Sequence, residues 1–234
     1  MKRQFFKNDD NKFIIATVPK CASTSIKLWM YQVQFGEKHG GGVCKRCNNN
    51  TIHACVCLGE LNDHEEVARY PYKLYSIVKD PYSRILSTYI NKIEDGGTPS
   101  NTTKVYTIFE NYMKGLGKEI KKDKDTFGSF LKLVAVGTPG LSDENHIIPQ
   151  TELLAFDKLS YTHVGRFETI GDEFEKIKKQ TEIGFGLPSK DKTKGRPTPT
   201  NAGDKLDKYY NRENFDLVNK IYITDFTNFK YKMR

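Results

Sequence analysis

Lys20 sits with three hydroxyl side chains in Val18-Pro19-Lys20-Cys21-Ala22-Ser23-Thr24-Ser25. A cation beside serines in a tight turn suits a phosphate or sulfate, the more so where a helix begins and its first N–H groups lack intrahelical partners. The same logic recurs in Val78-Lys79-Asp80-Pro81-Tyr82-Ser83-Arg84-Ile85-Leu86-Ser87-Thr88-Tyr89. Ser83 and Ser87 are four apart, hence on one helical face, and lean back toward Lys79. A phosphate there can take charge-assisted hydrogen bonds, worth about 1.5–3 kcal/mol each. Histidine is the side chain best suited to deprotonating an alcohol near neutral pH. Of five, His53 and His146 are the candidates, and His39, His64 and His163 read as structural or exposed.

These residues need elements to hold them. Phe13 to Val18, Lys73 to Val78 and Tyr161 to Phe167 read as short strands, each followed by a helical pattern. Ile26, Trp29, Met30 and Val33 recur at helical spacing after the first, and Ile85, Leu86, Tyr89, Ile90 and Ile93 after the second, with Pro81 suited to a first turn. Further helices are expected around Phe127 to Val136 and over Phe215 to Tyr222. Strands alternating with helices predict an α/β fold with a parallel sheet flanked by helices. At 234 residues, one domain over 1–234 is the expectation. The plain alternative for the first turn is an ordinary strand, turn and helix capped by Ser23 or Thr24. For the second it is a helix start with Arg84 in a surface ion pair.

The first turn is not a Walker A loop, whose lysine closes a glycine-rich run; here the lysine comes first. It resembles the 5′-phosphosulfate loop of sulfotransferases that use 3′-phosphoadenosine 5′-phosphosulfate (PAPS). Its P-K-C-A-S-T-S spelling is similar to the carbohydrate sulfotransferases of the heparan 2-O and chondroitin 4-O type. The second stretch resembles the 3′-phosphate motif of that family, V-R-D-P-x-x-R-L-x-S-x-Y, with Lys79 in place of the usual arginine and Ser87 at the kept spacing. A point charge thus replaces a bidentate fork. Gly165-Arg166-Phe167-Glu168-Thr169-Ile170, His146-Ile147-Ile148-Pro149-Gln150 and Tyr222 to Tyr231 resemble further family segments, so the likeness covers nearly the whole chain.

That resemblance implies a P-loop-like fold and sulfuryl transfer from PAPS to a hydroxyl acceptor, most plausibly on a carbohydrate. Pro19, Lys20, Cys21, Ala22, Ser23, Thr24 and Ser25 would hold the sulfuryl end. Lys79 and Ser87 would hold the 3′-phosphate, with Phe167 near the adenine and Arg196 in a closing loop; on plainer grounds Phe167 is core and 194–196 a solvated loop. Lys20 would stabilise the leaving phosphate. His53, in a segment resembling H-V-S of the heparan 2-O type, would be the base, and His146 the runner-up. The leaving group is already a stable anion, so the transfer itself requires no metal. A phosphotransferase lacks its G-K-[ST] loop here, and a non-enzymatic anion- or glycan-binding module fits less well two turns built for small anions.

Cys44-Lys45-Arg46-Cys47 and Cys55-Val56-Cys57 leave three states open: free thiols, a structural zinc, or disulfides. Against zinc, the second pair is C-x-C and usual finger spacings do not fit. The net charge of +8 is dispersed, with no nucleic-acid-binding motif, and suits an anionic donor instead. No run of about eighteen apolar residues and no signal-peptide core is present, so a soluble cytoplasmic protein without a membrane span is expected.

Overall fold

In the computed structural model, the described residues are 5–39, 44, 46–48, 52, 55–95, 103–141, 144–188 and 200–234. The fold is α/β, with a mostly parallel five-stranded sheet and flanking helices. Two compact units divide it, Lys2–Val78 with Leu153–Thr198, and Lys79–Glu152 with Pro199–Arg234.

The first unit holds the sheet. Its strands are β1 (Phe5–Asn8), β2 (Phe13–Ala16), β3 (Glu60–Leu61), β4 (Lys73–Val78) and β5 (His163–Arg166), in the order β3-β1-β2-β4-β5. β2, β4 and β5 run parallel, with Ile15 opposite Tyr75 and Tyr75 opposite His163. β1 runs antiparallel to both β2 and β3. All four residues of β2 and the last five of β4 are buried, the near-continuous apolar run expected of strands covered on both faces, interrupted in β4 by Ser76. The carboxyl ends of the parallel strands, Ala16, Val78 and Arg166, therefore lie along one side of the sheet, where open α/β sheets carry their ligand loops.

Two helices of this unit share one aromatic joint. Trp29 of α1 (Ser23–Phe35) packs on Phe13 of β2 at 5.7 Å and edge-on to Phe174 of α7 (Ile170–Thr181) at 4.8 Å. Its indole N–H donates to the Phe185 carbonyl at 2.8 Å. The short helix α2 (His64–Ala68) is capped by Asp63, whose carboxylate accepts the Glu66 N–H.

The second unit is helical: α3 (Pro81–Tyr89), α4 (Lys104–Gly115), α5 (Lys124–Ala135), α6 (Gln150–Leu153), α8 (Leu206–Tyr209), α9 (Arg212–Ile221) and α10 (Ile223–Phe229). α3 continues into a π-helical turn, Ile90–Glu94. Its core is aromatic, with Tyr89 against Phe127 at 5.1 Å and Phe130 at 5.4 Å, and Phe109 edge-on to Phe130. No helix among the described residues is long and apolar enough to cross a membrane.

Gly165 marks a close approach between β5 and α7. A Cβ there would lie 2.7 Å from Glu173 Cβ and 2.8 Å from Ile77 Cδ1. Gly165→Ala should destabilise the fold by about 1–3 kcal/mol, the usual cost of overpacking; denaturant titration that finds no loss would show that α7 yields freely.

Candidate active site

The first anion turn leaves β2 through buried Thr17 and Val18. The Cys21 N–H donates to Val18 O at 3.1 Å, and fully buried Cys21 anchors the turn. On either side, Lys20 (φ 70°) and Ala22 (φ 58°) adopt the left-handed conformation. Side-chain-bearing residues enter it at a cost of about 1–3 kcal/mol each, and such strain gathers at functional sites. Ala22, not Ser23 or Thr24, stands at the cap of α1 and no side chain caps the helix. The sequence alternative of a hydroxyl cap is thereby corrected: Ser23, Thr24 and Ser25 form the first turn itself. No acidic residue occupies that turn, so its dipole favours an incoming anion. Lys20 and the three hydroxyl residues are half-buried.

The second turn is built differently. Asp80 caps α3, its carboxylate accepting the Ser83 N–H at 2.9 Å, while the Ser83 hydroxyl donates to Asp80 O at 3.1 Å. The Ser83 N–H is thus already taken. Lys79 is 8% exposed and its backbone is clamped by one side chain. Gln150 Oε1 accepts the Lys79 N–H at 2.9 Å and Gln150 Nε2 donates to Lys79 O at 2.8 Å. Ser87 is buried, with its hydroxyl 2.8 Å from Thr200 Oγ1.

Residues 145–150 are held by a row of buried donors. Arg84 Nη2 and Nη1 donate to Asn145 O at 3.1 Å and Ile148 O at 2.9 Å, Thr88 Oγ1 to His146 O at 3.0 Å and Tyr222 OH to Ile147 O at 2.6 Å. Arg84 is therefore no surface ion-pair residue: it is 1% exposed and donates to two backbone carbonyls. Asp225, fully buried, accepts the Gln150 and Thr151 N–H groups at 2.9 and 2.8 Å and Gln150 Nε2 at 3.3 Å. The sequence placed Arg84, Gln150 and Asp225 inside motifs without a role; Thr200 gave no signal at all.

His146 lies on that fixed segment, half-buried, with Nδ1 2.5 Å from Glu144 Oε1. A carboxylate on one ring nitrogen orients the ring, one part of the arrangement a general base needs. The E-x-H spacing was the available signal for Glu144. Of the other histidines, His163 pairs with Glu173 at 2.6 Å in the first unit, and His39 packs edge-on to Tyr31. His53 and Arg196 lie outside the described residues. Phe167 is half-buried in the turn Phe167–Thr169 after β5, not core. Cys44, Cys47, Cys55 and Cys57 bring their sulfurs within 4.8 Å of one another and can hold a metal.

A family model described as "Sulfotransferase family" matches residues 3–232. The chain belongs to the sulfotransferase family. No curated protein and no solved structure matches it. Family membership makes the chain a transferase of sulfuryl groups, and both anion turns fall inside the matched span.

In this sulfotransferase the His146 hydrogen bond is the main cause holding the Glu144 carboxyl below its ordinary range, against the opposing pull of burial. A depressed folded-state value means the contribution is present above the ordinary carboxylate range of about 4.5 and is lost as pH falls through the lower value. Glu144→Gln should flatten that acid limb of stability, read from thermal melts between about pH 3 and 6; an unchanged limb would deny the pair any energetic role.

Proposed function

We propose that this sulfotransferase moves the sulfuryl group of PAPS to a hydroxyl, most plausibly on a carbohydrate. The observation that carries this is the strained Lys20–Ala22 turn opening an α1 that no side chain caps, in a chain matched by its family over 3–232. Lys20, with Ser23, Thr24, Ser25 and their N–H groups, holds the 5′-phosphosulfate and takes up charge as the bridging oxygen leaves. Pro19, Cys21 and Ala22 shape that turn. Lys79 and Ser87 hold the 3′-phosphate, Arg196 closes on it and Phe167 stacks on the adenine. Sulfuryl transfer, like phosphoryl transfer, is governed by in-line positioning and dispersal of charge on equatorial oxygens, which is what these residues supply. The pairing of the two turns on one donor rests on the order and spelling of the motifs.

Adenosine 3′,5′-bisphosphate at about a hundred times its Kd should stabilise the fold by about 2.7 kcal/mol, seen as a raised Tm, while ATP should not. Lys79→Ala should weaken that binding by about tenfold or more, the loss of one charge-assisted contact. Stabilisation by ATP alone would overturn the donor assignment and favour phosphoryl transfer.

A histidine takes the acceptor's proton in this reading. His53 has the role by its segment's resemblance, and the Glu144-paired His146 has the chemistry for it. His53→Ala and His146→Ala, assayed separately with labelled PAPS across a panel of sugars, should identify the base by a loss of about 10²–10⁴-fold in turnover with bisphosphate affinity kept. Full turnover in both variants rules out a histidine base.

A further inference from the structure

We propose that Cys44, Cys47, Cys55 and Cys57 bind one zinc ion as four thiolates, a closed structural site in the sheet-bearing unit. The sulfurs converge on a single point: all four lie within 4.8 Å of one another, with Cys44 to Cys55 at 3.5 Å and Cys47 to Cys55 at 3.7 Å. Zinc bound tetrahedrally at about 2.3 Å from each sulfur sets its ligands about 3.8 Å apart. A disulfide needs sulfurs at about 2.05 Å, and none of the four cysteines is in a disulfide. Apolar packing alone has no reason to gather four sulfurs face to face.

The backbone explains how spacings unlike those of common fingers still close. The Asn48 N–H donates to Cys44 O at 2.8 Å, and Asn48 turns the chain with φ 56°, a conformation asparagine tolerates. Cys44 and Cys47 are thereby brought round to one side. Cys55 is extended (φ −74°, ψ 103°) at the head of the 3-10 turn Val56–Leu58, so the bend between Cys55 and Cys57 lets a C-x-C pair reach one centre. Gly59 ends the turn at φ 65°, where a Cβ would lie 3.2 Å from Lys7 O, and its carbonyl accepts the Lys7 N–H of β1 at 3.1 Å. The second cysteine pair is thus tied to the edge of the sheet.

Cys44 and Cys55 are buried, Cys47 and Cys57 half-buried. Cys44 Sγ is 4.0 Å from the Tyr31 hydroxyl on α1, an O–H donor in reach of a thiolate, as ligand sulfurs commonly have. Four sulfurs complete a tetrahedron, leaving no open position for water or substrate and requiring no histidine ligand. Binding exchanges four thiol protons for one Zn²⁺. Its physical task follows from the chain: one ion held by all four sulfurs ties Cys44 and Cys47, after α1, to Cys55 and Cys57 at the turn Val56–Leu58 that precedes β3. Zinc has no d-electron preference and tolerates an irregular cage, whereas the donor set alone would also admit iron.

Protein purified in reductant and dialysed into metal-free buffer should retain about one zinc per chain by elemental analysis. Exchange with Co²⁺ should give the intense visible bands of a tetrahedral thiolate site. Cys47→Ser and Cys57→Ser should each weaken zinc retention against a chelator by about tenfold or more, while Cys21→Ser keeps the metal. The cobalt spectrum of the unaltered chain serves should a variant fail to fold. Zinc-free protein with four reactive thiols, two disulfides by intact mass, iron in place of zinc, or loss of zinc from Cys21→Ser alone overturns the proposal.

Discussion

Asp225 is a carboxylate with no exposure to water, and the second anion turn depends on it. Burying an unpaired charge costs several kcal/mol, a cost offset here by three N–H donors, two from the backbone and one from Gln150. The constraint propagates: Gln150 is held from one side by Asp225 and grips the Lys79 backbone with both ends of its amide. Lys79 is placed by this chain of contacts, so a residue almost a hundred and fifty positions later in the sequence sets where the second turn presents its charge.

The same economy governs residues 145–148. Their carbonyls would be costly orphans in a buried loop, and Arg84, Thr88 and Tyr222 supply the donors. Burial pushes the Tyr222 phenol well above its ordinary range, so it stays protonated and remains a donor. Around it, Tyr82 bonds to Asn219 and Tyr210 donates to Tyr82 O, within an aromatic cluster of mostly edge-on rings. The polar residues of these motifs thus act as scaffold, and His146 is rigid because its neighbours' carbonyls are all engaged.

The two anion turns reach similar ends by opposite means. In the second, Asp80 caps its helix, and no residue from Lys79 to Ser87 has a positive φ. In the first, Lys20 and Ala22 sit in left-handed backbone without glycine and α1 starts uncapped. A turn that stores strain and leaves its helix dipole uncompensated gains most from an anion.

Much of this was legible in the residues themselves. The three parallel strands, the helices after them and the two basic turns follow from apolar periodicity and motif spelling, because those depend on near neighbours in sequence. β1 was missed: four residues flanked by charges carry little pattern, and only pairing with β2 and β3 makes them a strand. The plain alternatives, a hydroxyl cap on α1 and a surface Arg84, fail, since a left-handed Ala22 and a buried guanidinium are decided by what packs around them. The cysteines show the division most plainly. Their spacing left thiols, disulfides and metal open and spoke against a common zinc finger, and only the reversal at Asn48 and the turn after Cys55 bring four sulfurs together, because convergence is a property of the folded backbone and not of intervals along the chain.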